Sequence, residues 1–197
     1  MNKSENNIPL LVIISGPSGV GKTTICSEVV KRVDNVYLST SLTSRAKAEE
    51  EVNGQHYRFV SREKFENMIQ ADELLEYAEV FGNLYGTPRE PVEQALQEGK
   101  TAILEIDVQG AKQVKTIYPD AVMIFILPPR QQDLAERMNG RGREDEKTAE
   151  QRLNLAGTEI AAAWQHYDNM VINDELEQAV EEVVQIIKKE RERKTVD

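Results

Sequence analysis

An apolar run, Leu10 to Ser15 (LLVIIS), leads directly into Gly16-Pro17-Ser18-Gly19-Val20-Gly21-Lys22-Thr23 and then into a helical pattern reaching about Val33. The eight residues satisfy G-x-x-x-x-G-K-S/T at every fixed position, and they lie between a strand and a helix, the context that this motif requires. The glycines let backbone N–H groups converge on a phosphate. The helix start adds positive dipole, Lys22 can neutralise the β- and γ-phosphates, and the Thr23 hydroxyl can ligate Mg2+. Gly16, Pro17, Ser18, Gly19, Val20, Gly21, Lys22, Thr23 and Thr24 are therefore candidates for holding a nucleoside triphosphate, with Thr23 facing its metal. The bland alternative, a Gly-rich turn with an incidental lysine, leaves both the full match and its context to coincidence. The loop alone implies only triphosphate binding, because GTPases, ATPases and kinases share it. No N-K-x-D base-recognition motif follows it, and 197 residues leave little room for motor or helicase machinery.

Further apolar runs occur at Val36 to Ser39, Thr101 to Ile106, Ala121 to Leu127 and Asn169 to Ile172, with helix-length segments between the later ones. Strands alternating with helices predict an α/β fold, a three-layer parallel sheet flanked by helices. Two stretches break the alternation. Residues 41–91 carry short strand-like segments, His56 to Val60 and Leu74 to Phe81, around one helix that Ser61 can cap. They predict a small α+β insertion with antiparallel strands. Residues 132–158 carry Gly140-Arg141-Gly142-Arg143 before an acidic, helix-prone run, and predict a helical lid bearing arginines. The core is then 1–40, 92–131 and 159–197. Leu176, Ala179, Val180, Val183 and Ile187 form an apolar stripe at helical spacing, with Lys188 to Lys194 expected to fray in solvent. Trp164 is expected in the core.

With 40% hydrophobic and 29% charged residues, the chain suits one sizeable globular core. Its longest apolar run is far short of the ~20 residues of a membrane span, and Met1 to Pro9 lacks the basic-then-apolar order of a signal peptide. A cytoplasmic protein without a membrane partner is expected. Cys26, the single cysteine, has no partner for a disulfide, and no Cys/His cluster has metal-ligand spacing, so a metal must arrive with a substrate. A net charge of −10 argues against nucleic acid as a partner. Cations are concentrated locally instead, at Lys22, Arg45, Lys47, Arg137, Arg141, Arg143 and Arg152. The acidic excess at Glu49, Glu50, Glu51, Glu181 and Glu182 reads as solvated surface.

Ser39-Thr40-Ser41-Leu42-Thr43-Ser44-Arg45 and Glu51-Val52-Asn53-Gly54-Gln55-His56-Tyr57-Arg58-Phe59 closely resemble guanylate kinase, whose usual pattern there is T-T-R-x-P-R-x-G-E-x-x-G-x-D-Y-x-F. Leu75-Glu76-Tyr77-Ala78-Glu79, Gly82-Asn83-Leu84-Tyr85-Gly86-Thr87, Leu104-Glu105-Ile106-Asp107-Val108-Gln109-Gly110, Gly140-Arg141-Gly142 and Val171-Ile172-Asn173-Asp174 continue it in the family's order. The resemblance spans about residues 10–190 and implies transfer of a phosphoryl group from ATP-Mg2+ to GMP, with dGMP a second acceptor.

By that resemblance, Ser41, Glu76 and Thr87 contact the guanine nucleotide, and Arg45, Tyr57 and Tyr85 hold its phosphate. The chemistry agrees. Guanine presents N1–H and its N2 amino group as adjacent donors that a Glu76 carboxylate can accept, whereas adenine has an acceptor at N1 and no N2 donor. A guanidinium fork and two phenols suit phosphate oxygens. Asp107 resembles a Walker-B-like carboxylate near guanine and the Mg2+ water shell, with Glu105 two residues earlier on the same strand face. Its plain alternative is a helix N-cap, and the two roles can coexist. Arg137, Arg141 and Arg152 resemble the lid arginines that neutralise the transferring phosphoryl group. Asn173 is similar to a residue lining the adenine pocket. The family's second phosphate-binding arginine is Ala48 here, its proline is Lys47, its Gly-Glu is Glu50-Glu51, and its aspartate before the tyrosine is His56. Lys47 can reach a phosphate only as a point charge. Ala48 keeps open a kinase for another small phosphorylated or phosphonate acceptor, and a non-catalytic binding module is the rival from another class. The intact loop, Glu76, Asp107 and the arginines favour the enzyme. The oligomeric state is not set by the sequence, and a homodimer is left open.

Overall fold

The structure is a computed structural model describing residues 8–130 and 146–196, with only the backbone over 146–155 and at 196. Leu10–Ser15 forms β1, every residue of it buried. It is followed by α1 (Lys22–Arg32), β2 (Val36–Leu38), β3 (Leu42–Thr43), β4 (Arg58–Phe59), α2 (Arg62–Gln70), β5 (Leu74–Val80) and β6 (Asn83–Pro88). Then come α3 (Arg89–Gln97), β7 (Thr101–Glu105), α4 (Val108–Ile117), β8 (Val122–Leu127), α5 (Glu146–His166), β9 (Asn169–Ile172) and α6 (Leu176–Val196).

The main sheet has the order β2-β7-β1-β8-β9, and all its pairings are parallel. A parallel sheet covered on both faces needs strands apolar on both sides, and β1 shows why LLVIIS supplies one. Leu10, Val12 and Ile14 pack with Ile25, Cys26 and Val29 of α1 and with Ala179, Val180, Val183 and Ile187 of α6. Leu11 and Ile13 point the other way, into Val92 of α3, Val108, Ala111 and Val114 of α4, and Ala163 of α5. Every second side chain changes face, so one strand joins the two half-cores. The predicted three-layer α/β arrangement is therefore what forms. No helix of the described residues is long and apolar enough to cross a membrane.

The second sheet has the order β4-β3-β6-β5 and closes on Leu42, Phe65, Leu74 and Leu84. Ser61 caps α2 as expected, accepting from the Lys64 N–H at 3.1 Å. Strands β5 and β6 form a hairpin through Phe81 (φ 50) and Gly82 (φ 77), a turn whose positive dihedrals match strand twist. The antiparallel strands expected of the insertion form at β3–β6 and β5–β6, and one pairing departs from them. Strands β3 and β4 run parallel, because the connection 44–57 provides the crossover of about a dozen residues that parallel pairing needs.

Two further expectations are corrected. Trp164 is 68% exposed, because the inward face of α5 is occupied by Ile160 and Ala163. The charged end of α6 stays helical to Val196 rather than fraying. Arg191 docks it, donating to the buried Thr101 Oγ1 and to the Asp34 carbonyl, both at 2.8 Å.

Candidate active site

The phosphate loop leaves the C-terminal end of β1 and enters α1 through Gly21, whose φ of 101 is left-handed and free of strain only for glycine. The Lys22 ammonium lies across the loop and donates to the carbonyls of Gly16 at 2.6 Å and Pro17 at 3.1 Å. The Asn173 amide supports the loop from below. It is 6% exposed, donates to the Val20 carbonyl at 2.7 Å, and would lie 2.6 Å from any Cβ placed on Gly21. Thr23 Oγ1 donates to Glu105 Oε1 at 2.8 Å. The parallel register that sets Ile14 beside Glu105 brings these residues to one sheet edge. Thr24 is exposed on the first turn of α1.

Asp107 begins α4 and caps it, accepting from the Gly110 N–H at 2.8 Å. The cap is real, and it leaves the second carboxylate oxygen for other work. Glu159 of α5, which no sequence motif singled out, lies within electrostatic range of both Lys22 and Asp107. Burial raises its carboxyl pKa to about 7, with Lys22 opposing the rise and Asp107 adding to it. Only the packing of α5 on the sheet brings it there, so a lone helical glutamate gave no signal.

Across from the loop, the insertion gathers Arg45, Tyr57 and Tyr85. The Arg45 guanidinium lies 5.5 Å from the Tyr57 ring centroid, and Tyr57 meets Tyr85 edge to face at 5.8 Å. Glu51 organises them. Its carboxylate takes both arms of Arg45, at 2.9 and 2.7 Å, and the Ala48 N–H at 2.8 Å. That corrects its assignment to solvated surface, since its side chain is 12% exposed. Arg45 holds the Glu51 pKa at about 2, with the Ala48 N–H assisting, and Glu51 in turn pushes Arg45 above its ordinary value. Burial pushes the Tyr57 phenol up to about 12, and Glu105 reinforces it across the cleft. Lys47 turns away to the carbonyls of Ala48 and Glu51, at 3.1 and 2.9 Å. His56 is exposed, and its Nδ1 accepts from the Val52 N–H at 3.0 Å.

Glu76 and Thr87 are cross-strand partners on β5 and β6. Both are buried, Glu76 at 4% exposed, and Thr87 Oγ1 donates to Glu76 Oε1 at 2.7 Å. Burial lifts the Glu76 pKa to about 7; the Thr87 bond opposes this, and Asp107 adds to it. With its single proton committed to Glu76, the Thr87 hydroxyl must give up that bond before it can donate to a guanine O6. Ser41 is half-buried at the start of β3, where its carbonyl accepts from the Arg58 N–H at 2.9 Å.

Core and insertion thus face each other through Glu105 with Tyr57 and through Asp107 with Glu76. Arg137 and Arg141 lie outside the described residues, as does the side chain of Arg152, whose backbone belongs to α5. Among the described residues no group of three or more His, Cys, Asp or Glu side chains could hold a metal by itself.

The family model for guanylate kinase matches residues 9–190. The guanylate kinase of Carboxydothermus hydrogenoformans is 48% identical over 183 residues, covering 92% of this chain and 89% of that protein. The guanylate kinase of Desulfitobacterium hafniense is 45% identical over 187 residues, 95% of this chain and 93% of that one. The crystal structure of guanylate kinase from Anaplasma phagocytophilum superimposes with a TM-score of 0.76 at 32% identity, over 93% of this chain and 86% of its own. A family match from residue 9 to residue 190, and relatives nearly half identical over nine-tenths of the chain, leave one conclusion: this chain belongs to the guanylate kinase family.

Proposed function

We propose that this chain phosphorylates GMP, and dGMP as a second acceptor, to the diphosphate with ATP and Mg2+, in the cytoplasm, using the residues that face the cleft. Membership of the family makes it an enzyme, a nucleoside-monophosphate kinase. The observation that carries the assignment of residues is Glu76. A carboxylate at 4% exposure is costly to keep unless a ligand uses it, and two adjacent guanine donors match its two oxygens. Arg45, Tyr57 and Tyr85 receive the phosphate of GMP, with Glu51 holding the guanidinium in place.

On the donor side, the backbone N–H groups of Gly16 to Thr24 and the Lys22 ammonium receive the ATP phosphates, and Asn173 keeps the loop in shape. The Thr23 hydroxyl and the Glu105 carboxylate fit Mg2+, which favours hard oxygens, keeps several waters and takes one or two carboxylates beside substrate phosphates. When bound, the ion supplies charge neutralisation at the transferring group. Asp107 stands beside this set with one oxygen not used by the cap. The protein's part is positioning: residues 41–91 bring the GMP phosphate in line with the γ-phosphate and exclude water, and no general base is required because a phosphate oxygen is already a nucleophile. By the family resemblance, Arg137, Arg141 and Arg152 complete the charge around the transition state. A homodimer is compatible with this scheme, and no step requires one.

A coupled ADP-release assay across GMP, dGMP, AMP, CMP and UMP tests the proposal. GMP should lead AMP by at least ~100-fold in kcat/KM, since buried polar groups left mismatched cost a few kcal/mol. Equal turnover of GMP and AMP would sink it.

A further inference from the structure

Gly110 sits in the first turn of α4 with ordinary helical backbone, a place where alanine is the better helix former. Conformational freedom does not explain the glycine. Its neighbour does: a Cβ there would overlap Glu76 Oε2 and lie 2.8 Å from Glu76 Cδ. Glu76 reaches this spot from β5, the edge strand of the other sheet. Three residues along the same face of α4, the Gln113 amide serves both outward backbone groups of Tyr77. Its Nε2 donates to the Tyr77 carbonyl at 2.8 Å, and its Oε1 accepts from the Tyr77 N–H at 3.3 Å. One side chain is thus missing where Glu76 must rest, and another imitates a strand where Tyr77 must be held.

We propose that Gly110 and Gln113 are positioning residues for guanine selection, fixing the Glu76 carboxylate against α4 so that it meets N1–H and the N2 amino group together. This rests on Glu76 being the guanine acceptor. It moves the control of base choice from the insertion to a helix of the core, since a carboxylate displaced sideways by one methyl group keeps its charge and loses its alignment.

The test compares GMP with inosine monophosphate, which shares the sugar, the phosphate, O6 and N1–H and lacks only the N2 amino group. Gly110→Ala should raise the KM for GMP at least about tenfold and lower the preference for GMP over inosine monophosphate to a similar extent. The KM for ATP should stay within about twofold, and the variant should remain folded, the better helix propensity of alanine offsetting part of the cost of displacing Glu76. Gln113→Ala should lower the same preference about threefold. In a Glu76→Ala background, Gly110→Ala should add less than about twofold, because the group it displaces is gone. The proposal is overturned if folded Gly110→Ala keeps the parental preference, or if it does equal damage with and without Glu76. Should Gly110→Ala fail to fold, Gln113→Ala decides: an unchanged preference rejects the proposal. Indifference of GMP turnover to Glu76→Ala itself would instead reject the underlying assignment of Glu76, so the two failures are distinguishable.

Discussion

Glu76→Gln separates the stability of the protein from its function. Burial raises the carboxyl from an ordinary 4.5 to about 7, so between those values the native state holds a proton that the unfolded chain has released. The raised value means that the contribution of Glu76 to stability is fully present below 4.5 and is lost as pH climbs toward about 7. At roughly 1.4 kcal/mol per pH unit, ionised Glu76 costs the fold about 3 kcal/mol. Glutamine has the same shape, carries no charge, and keeps an oxygen to accept from Thr87. Urea unfolding should therefore find Glu76→Gln about 2 to 3 kcal/mol more stable than the parent at pH 8.5, and within about 1 kcal/mol of it at pH 5. Function should move the opposite way. The amide turns a donor toward guanine's donors, and GMP affinity should fall at least about tenfold. In the parent, kcat/KM for GMP should decline below pH ~7 as Glu76 takes up its proton, and Glu76→Gln should lack that limb. A stability increment equal at both pH values, or a loss at pH 8.5, refutes the burial argument.

Lys22→Ala should abolish most turnover while leaving fluorescence-detected GMP binding within about twofold, because among the described residues the Lys22 ammonium donates to phosphate-loop carbonyls and not to the insertion; a parallel loss of GMP affinity contradicts that division. Ala48→Arg should lower the KM for GMP about tenfold, the value of one charge-assisted contact, whereas Lys47→Ala should change it less than twofold, since Lys47 is held on backbone carbonyls. An Ala48→Arg without effect places residue 48 away from the phosphate. Glu51→Gln should raise the KM for GMP severalfold and lower stability by about 1 kcal/mol, the Arg45 side chain, 30% exposed, being partly screened by solvent. As Arg45 holds Glu51 near a pKa of about 2, that loss should be the same at pH 5 and pH 8; a marked difference between the two contradicts the pairing.

Repetitive signals survived the passage from sequence to structure. LLVIIS, four later apolar runs and the helices between them were legible because buried parallel strands need apolar side chains on both faces, whatever their partners. The glycine-lysine loop was legible because phosphate chemistry fixes its spacing. The two-residue strands β3 and β4 carry no period long enough to read, so their parallel pairing was not. Glu51 and Glu159 were hidden for a different reason. A carboxylate looks alike in any sequence, and only the fold decides whether Arg45 or Lys22 stands beside it. Trp164 failed through size: a large apolar ring reads as core, yet the inward face of α5 was already filled by smaller side chains. Arg191 failed as one charge in a charged tail, with its partners far off on β7 and before β2.

The bond from Asn173 to Val20 spans 153 positions, and it has a consequence for synthesis. The central strand β1 is translated first, yet both its neighbours, β7 and β8, come from the second half of the chain, and the amide that braces the phosphate loop comes later still. At roughly 5–20 residues per second, the ribosome takes several seconds or more to pass from the loop to its brace. Through that interval the nascent chain carries the whole nucleotide-binding motif without the contact that shapes it. On the proposed reading the loop is braced to hold ATP only once Asn173 has followed β9 into the sheet, and a chain truncated before it should bear the motif and retain no nucleotide.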